Sequence, residues 1–146
     1  MARYHRVNID GKSLFKTETR KLAAATYPGT FAFINDDEEF AQAVNTMGRM
    51  YIIDCAYHEG LGITEQIPAE HSAVGNYVEE GREFAVRMAA GTYAKDDPVY
   101  VLNGLATAVP VGAGDYNVIG YIQDDVTTTE IDFIRIRTRA FTVTVE

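Results

Sequence analysis

The sequence predicts a mainly β protein: a small β-barrel or β-clip-like domain behind an extended N-terminal arm, with at most one or two short helices. Three observations predict it. Turn signals recur at close spacing between residues 90 and 125, two segments alternate with period two, and the one helical repeat is short. At 146 residues, a single folded unit buries roughly two-thirds of the surface its unfolded chain exposes, so one domain suffices. The division expected is a basic arm over residues 1–27 and one β domain over 28–146.

Taken in order, the first 22 residues are polar, cationic and poor in periodic apolar groups, as an arm that orders against something else should be. Tyr27-Pro28-Gly29-Thr30 is a turn, with proline fixing one φ and glycine permitting a positive one. Phe31–Ile34 opens the body. Asn35 then stands as a helix cap with Glu38 at the capping-box position, and Phe40, Val44 and Met47 follow at helical spacing before Gly48, which predicts at most a short helix. Residues 49–57 are β-rich and end in the loop His58–Gly62. From Ile63 to Gly75 the pattern weakens around Pro68, predicting a long exposed loop. Glu83–Ala89 alternates polar and apolar. Short strands at 99–102, 106–111 and 118–123 follow, separated by Lys95-Asp96-Asp97-Pro98, Asn103-Gly104 and Gly112-Ala113-Gly114-Asp115. Residues 131–145 form the clearest strand. There Ile134, Ile136, Thr138 and Ala140 share one face and Arg135, Arg137 and Arg139 the other, their Cα atoms about 6.5–7 Å apart. After Ala140 the apolar phase moves to Phe141, Val143 and Val145.

Charge narrows the function. The chain carries 21 acidic and 13 basic side chains, a formal net charge of -8. Residues 1–22 hold six basic groups (Arg3, Arg6, Lys12, Lys16, Arg20, Lys21) against Asp10 and Glu18, whereas residues 36–130 hold 17 acidic groups against four basic ones. A basic arm thus leads into an acidic body. That balance argues against nucleic acid as a partner, because a basic face supplies most of such affinity. No apolar stretch of signal-peptide or membrane-helix length occurs, so the protein is expected to work without a membrane.

Catalytic patterns are missing from the sequence. Cys55 has no second cysteine and no neighbouring His pair of zinc spacing, and it reads as buried packing. His5, His58 and His71 are scattered. The acidic groups at 36–39, 96–97 and 124–125 lack the Asp-x-Asp-x-Asp-Gly order of a calcium loop. Gly112 and Gly114 lie between β segments, outside the strand-to-helix setting a phosphate loop needs. The expectation is no enzyme, no cofactor and no metal.

Several of these segments also resemble a known family. Pro28-Gly29-Thr30, then Met50–Asp54, His58–Ile63 and Ala73-Val74-Gly75, then Val86–Pro98 with its Ala-Ala-Gly and Asp-Asp-Pro turns, Asn103-Gly104, Val109-Pro110 and Val118-Ile119-Gly120 are similar to the head-decoration, or capsid-cement, proteins of tailed bacteriophages. The likeness spans residues 28–125 and rests on turn spacing; the arginine row lies outside it. It implies a non-enzymatic protein, made in the host cytoplasm, that binds the outer surface of the assembled capsid at junctions of the major capsid protein and stabilises the shell. Partners would be the major capsid protein and other copies of the chain, as a trimer or a dimer. On that reading Arg3, Arg6, Lys12, Lys16, Arg20 and Lys21 position the arm, Tyr27, Phe31 and Phe33 anchor it, and Arg135, Arg137 and Arg139 make a second contact. The alternatives are a β-clip enzyme such as a nucleotide hydrolase and a phage tail or neck subunit.

Overall fold

A computed structural model describes residues 3–7, 9, 16–46, 49–109 and 114–145, with side chains as far as Arg139. Lys12, Met47, Gly48, Pro110, Gly112 and Ala113 lie outside the described residues, as do the side chains of Ala140, Phe141, Val143 and Val145. The protein is mainly β. Twelve strands run in chain order: β1 (Thr17–Lys21), β2 (Phe31–Ile34), β3 (Phe40–Gln42), β4 (Tyr51–Ile53), β5 (Ser72–Tyr77), β6 (Glu83–Met88), β7 (Gly91–Tyr93), β8 (Pro98–Leu102), β9 (Leu105–Ala108), β10 (Gly114–Ile122), β11 (Val126–Thr128) and β12 (Asp132–Val145).

The strands form two units. The first sheet has the order β1-β5-β4-β2-β3, and a parallel bridge from Leu22 to Phe40 joins its two ends. The Ala23 N–H donates to the Phe40 carbonyl at 2.9 Å beside that bridge, so the sheet curls almost into a ring. The second is a closed barrel, β10-β12-β6-β9-β8, in which β6 and β9 meet in parallel and every other pair is antiparallel. Closure removes exposed edges, the recurring hazard of all-β proteins. A small ribbon, β7 with β11, pairs with neither sheet but packs Val126 and Tyr93 against the larger core.

Local chemistry explains the turns. Asn103 and Gly104 have φ of 50° and 80°, the paired positive angles of a type I′ turn, and join β8 to β9 as the sequence predicts. Gly29 has φ 83°, as the second central residue of a Pro-Gly turn requires.

Two clusters make the core. One fills the first sheet with Leu22, Phe40, Ile53 and Ile67. The larger joins Phe31, Met50 and Ile52 of that sheet to Phe84, Val86, Val101, Ile134 and Ile136 of the barrel.

Three expectations need correction. The helix predicted after Asn35 does not form, and residues 40–42 are β3. The Asn35 side chain does act as a cap, its Oδ1 accepting the N–H groups of Asp37 and Glu39 at 3.0 and 2.9 Å, but the chain then turns into a strand. The loop predicted over 63–75 is largely structural: Ile63 and Ile67 are buried, and Ser72 onward is β5, inside the first sheet. Within the stretch expected to be an arm, residues 17–21 form β1 along β5, Leu22 is fully buried, and Val7 accepts the Ala85 N–H at 2.8 Å.

Candidate functional site

The arginine row on β12 has the alternation the sequence predicts. Ile134, Ile136 and Thr138 are buried, while Arg135 is half-buried and Arg137 and Arg139 are exposed. Its charge is largely spent within the molecule. The Arg135 guanidinium donates to both oxygens of Asp124, at 3.1 and 2.8 Å, and lies 3.6 Å from Glu83. The fork of donors matches a carboxylate edge, and this hydrogen bonding to Asp124 raises the guanidinium pKa. Arg137, opposite Glu83 in the β12–β6 register, pairs with that carboxylate and donates to the Gly81 carbonyl at 2.8 Å. Arg139 has no ionic partner among the described residues, and it borders a broad groove with Glu80, Asp96 and Gln123.

The N-terminal basic groups divide in the same way. Lys16 meets Glu79 at 2.7 Å, and Arg20 lies between Glu18 at 3.3 Å and Glu38 at 3.7 Å. Arg3, Arg6 and Lys21 are exposed, with no ionic partner among the described residues. Arg3 is held through its backbone, whose N–H donates to Asp132 at 3.1 Å.

Of the aromatic groups expected to anchor the arm, Tyr27 is exposed and its ring lies beneath the Arg87 guanidinium carbon, 4.0 Å from ring centroid to carbon. Phe33 is half-buried against the larger core. Phe31 is corrected to a packing role: it is fully buried where the two sheets meet and reaches no surface. Sequence reasoning missed Arg87. The available signal was its outward position on an alternating strand with no acidic residue two places away on either side.

Groups suited to chemistry are dispersed. Cys55 is buried, and burial pushes its thiol pKa up, away from the thiolate a nucleophile needs. His71 contacts Glu59 at 2.6 Å and His58 lies 3.5 Å from the other oxygen of that carboxylate, an exposed surface cluster. Among the described residues no group of three or more His, Cys, Asp or Glu side chains is arranged to hold a metal ion. No helix of the described residues is long and apolar enough to cross a membrane.

Among the described residues, then, the β12 arginines are mostly neutralised in place, and Arg3, Arg6, Lys21 and Arg139 have no ionic partner. No curated protein matches the chain. A family model, the XM1 gp53 minor capsid protein, matches residues 1–140. The match takes in both β1 and most of β12, the two ends that the decoration-protein likeness left uncovered. The chain therefore belongs to the XM1 gp53 minor capsid protein family, a family of phage structural proteins associated with the capsid.

Proposed function

We propose that this minor capsid protein is a decoration protein, bound to the outside of the assembled head at junctions of the major capsid protein and stabilising the shell. The observation that carries the reading is the placement of uncompensated charge. In a chain with 21 acidic side chains, Arg3, Arg6 and Lys21 stay exposed and unpaired among the described residues, while Lys16 and Arg20 next to them are paired. Cations left unpaired beside an acidic body suit attachment to a second acidic protein surface. Lys12 belongs to the same basic stretch in sequence, and Arg139 on β12 is a further exposed cation. Tyr27 and Phe33 add aromatic contact area near the turn. Other copies of the chain complete the contact, as a trimer at a threefold junction or a dimer at a twofold one.

Stabilisation on this reading is mass action: a protein that binds the assembled lattice more tightly than free capsomers shifts the equilibrium toward the lattice. The test is co-sedimentation with shells lacking the protein. Binding at low salt that is released at high salt is expected, because exposed charge contacts are screened beyond about 10 Å at 0.1 M. Absence of binding, or binding indifferent to salt, overturns the charge-led reading. Antibody labelling of whole virions separates it from the tail or neck alternative, since label confined to the neck replaces decoration with that role.

A further inference from the structure

Arg87 occupies an outward position on β6, opposite Phe133 of β12. Its stem is pressed onto the Pro28-Gly29 turn. The Arg87 N–H donates to the Gly29 carbonyl at 3.2 Å, and a Cβ on Gly29 would lie 3.1 Å from Arg87 Cγ and 2.5 Å from the Phe133 ring. The turn therefore packs against the side chain's stem and places the Tyr27 ring beneath the guanidinium carbon.

Among the half-buried cations of the described residues, Arg87 is set apart by its lack of a carboxylate. Lys16, Arg20, Arg135 and Arg137 each reach one, whereas Arg87 has none among the described residues although the chain is strongly acidic. Burial also pulls its pKa down, the mark of a cation that has lost water without gaining an opposite charge. A half-buried guanidinium in that condition favours any anion that fits beside it.

The space beside it has a definite shape. A groove of about 230 Å3 runs past Arg87 and is lined also by Tyr27, Gln42, Gln66, Asn103 and Ile131. That is below the roughly 300–1,000 Å3 of small-molecule sites, and it suits a side chain with its flanking backbone. Three amide side chains offer donors and acceptors to a peptide backbone, and the exposed Tyr27 and Ile131 offer apolar cover at the rim.

We propose that this groove receives an acidic side chain on an extended segment of a capsid partner protein, its carboxylate paired with Arg87 and its backbone served by Gln42, Gln66 and Asn103. The identity of the partner rests on the decoration reading; the carboxylate chemistry rests on the groove alone.

Two measurements on the full chain separate those dependencies. In the first, the Arg87 Nε–H signal is followed by NMR while an acetylated, amidated Gly-Glu-Glu-Gly peptide is added up to 20 mM. A saturable shift is expected, at least tenfold weaker with the Gly-Gln-Gln-Gly peptide, and in Arg87→Gln the same tenfold weakening is read from the Gln66 and Asn103 amide signals. Gln66→Glu, at an exposed position on the groove wall, is expected to weaken binding by placing a carboxylate there in cis, and it serves if Arg87→Gln fails to fold. No saturable shift, or equal binding of the two peptides, overturns the proposal. In the second, shells are co-sedimented with wild type, Arg87→Gln and Gln66→Glu, and an about tenfold loss of bound protein is expected for the variants. Variants that bind shells as wild type does overturn the partner assignment. Wild type that binds no shells defeats the decoration reading, and the peptide titration still decides the groove.

Discussion

Gly75 shows how much a single small residue can conceal. In sequence, Gly75 closes the stretch from Ile63, interrupted by Pro68, that reads as an exposed loop. In the structure Gly75 is a central-strand residue over which the Phe40 ring and the Tyr51 stem close, and a Cβ there would lie 2.6 Å from the Phe40 ring and 2.9 Å from Tyr51 Cβ. Glycine marks a close approach here, and only the three-dimensional neighbours say so. Gly75→Ala is expected to destabilise the fold by about 1–3 kcal/mol through overpacking, read as a lower urea midpoint at unchanged slope. Tyr51 beside it makes a second prediction. Burial, with its hydrogen bond to Glu18, moves the phenol from the ordinary 10.0 to about 12. A pKa raised on folding contributes stability that is complete below pH 10 and lost as pH rises toward 12. Stability is therefore expected to fall by up to about 1.4 kcal/mol per pH unit in that window on account of Tyr51. Burial also raises Tyr57 and Tyr93, so the measurement is the difference between wild type and Tyr51→Phe. Parallel pH profiles for the two proteins would refute the assignment.

At the scale of the element, strands with strict alternation were legible and short paired strands were not. β6 and β12 announce themselves because one face of each is apolar and packed into the core while the other carries the charged residues, so the chemistry alternates along the strand. β3, with three residues, carries no periodicity, and the Asn35 cap before it serves a turn as well as a helix. The shift of apolar phase after Ala140 has a backbone counterpart. In the β10–β12 register Val118 pairs with Phe141 and Gly120 with Thr138, so three steps on β12 face two on β10, the signature of a bulge in the ladder. The arginine row was legible as a row but not as a set of ion pairs, because Asp124 arrives from the loop after β10 and Glu83 from β6. Those pairings assign different consequences to neighbouring arginines. Arg135→Gln is expected to cost about 1 kcal/mol, the scale of a partly exposed pair, and Arg139→Gln to leave stability within about 0.5 kcal/mol of wild type while weakening shell binding. Denaturation and co-sedimentation of the two variants check this, and a destabilising Arg139→Gln would return that residue to a structural role.

Over the whole molecule, sequence alone conveyed the β class and the charge asymmetry, yet it did not convey that the N-terminal stretch is woven into the body. Composition made residues 1–22 look detachable because Thr17–Lys21 is polar on both faces, and a strand at the end of a sheet needs no apolar face to be held by backbone hydrogen bonds. Among the described residues of that stretch, Leu22 and Val7 are both fully buried, Leu22 beside the bridge to Phe40 and Val7 in the larger core. The larger core crosses from the first sheet into the barrel through Phe31, Met50 and Ile52, so neither unit retains a complete interior without the other. This connectivity predicts one cooperative unfolding transition. Amide exchange at Ile53 in the first sheet and at Ile136 in the barrel is expected to report the same opening free energy, with melting by circular dichroism and by tyrosine fluorescence coinciding. Phe31→Ala is expected to remove about 3–5 kcal/mol from both sites equally, since its ring packs at their common boundary. Deleting residues 1–22 is expected to melt the first sheet and, through the shared core, to lower the barrel's protection as well. If Ile136 kept its full protection in that truncated chain, or if two transitions appeared in the wild type, the sheets would be separate folding units and the N-terminal segment a true appendage.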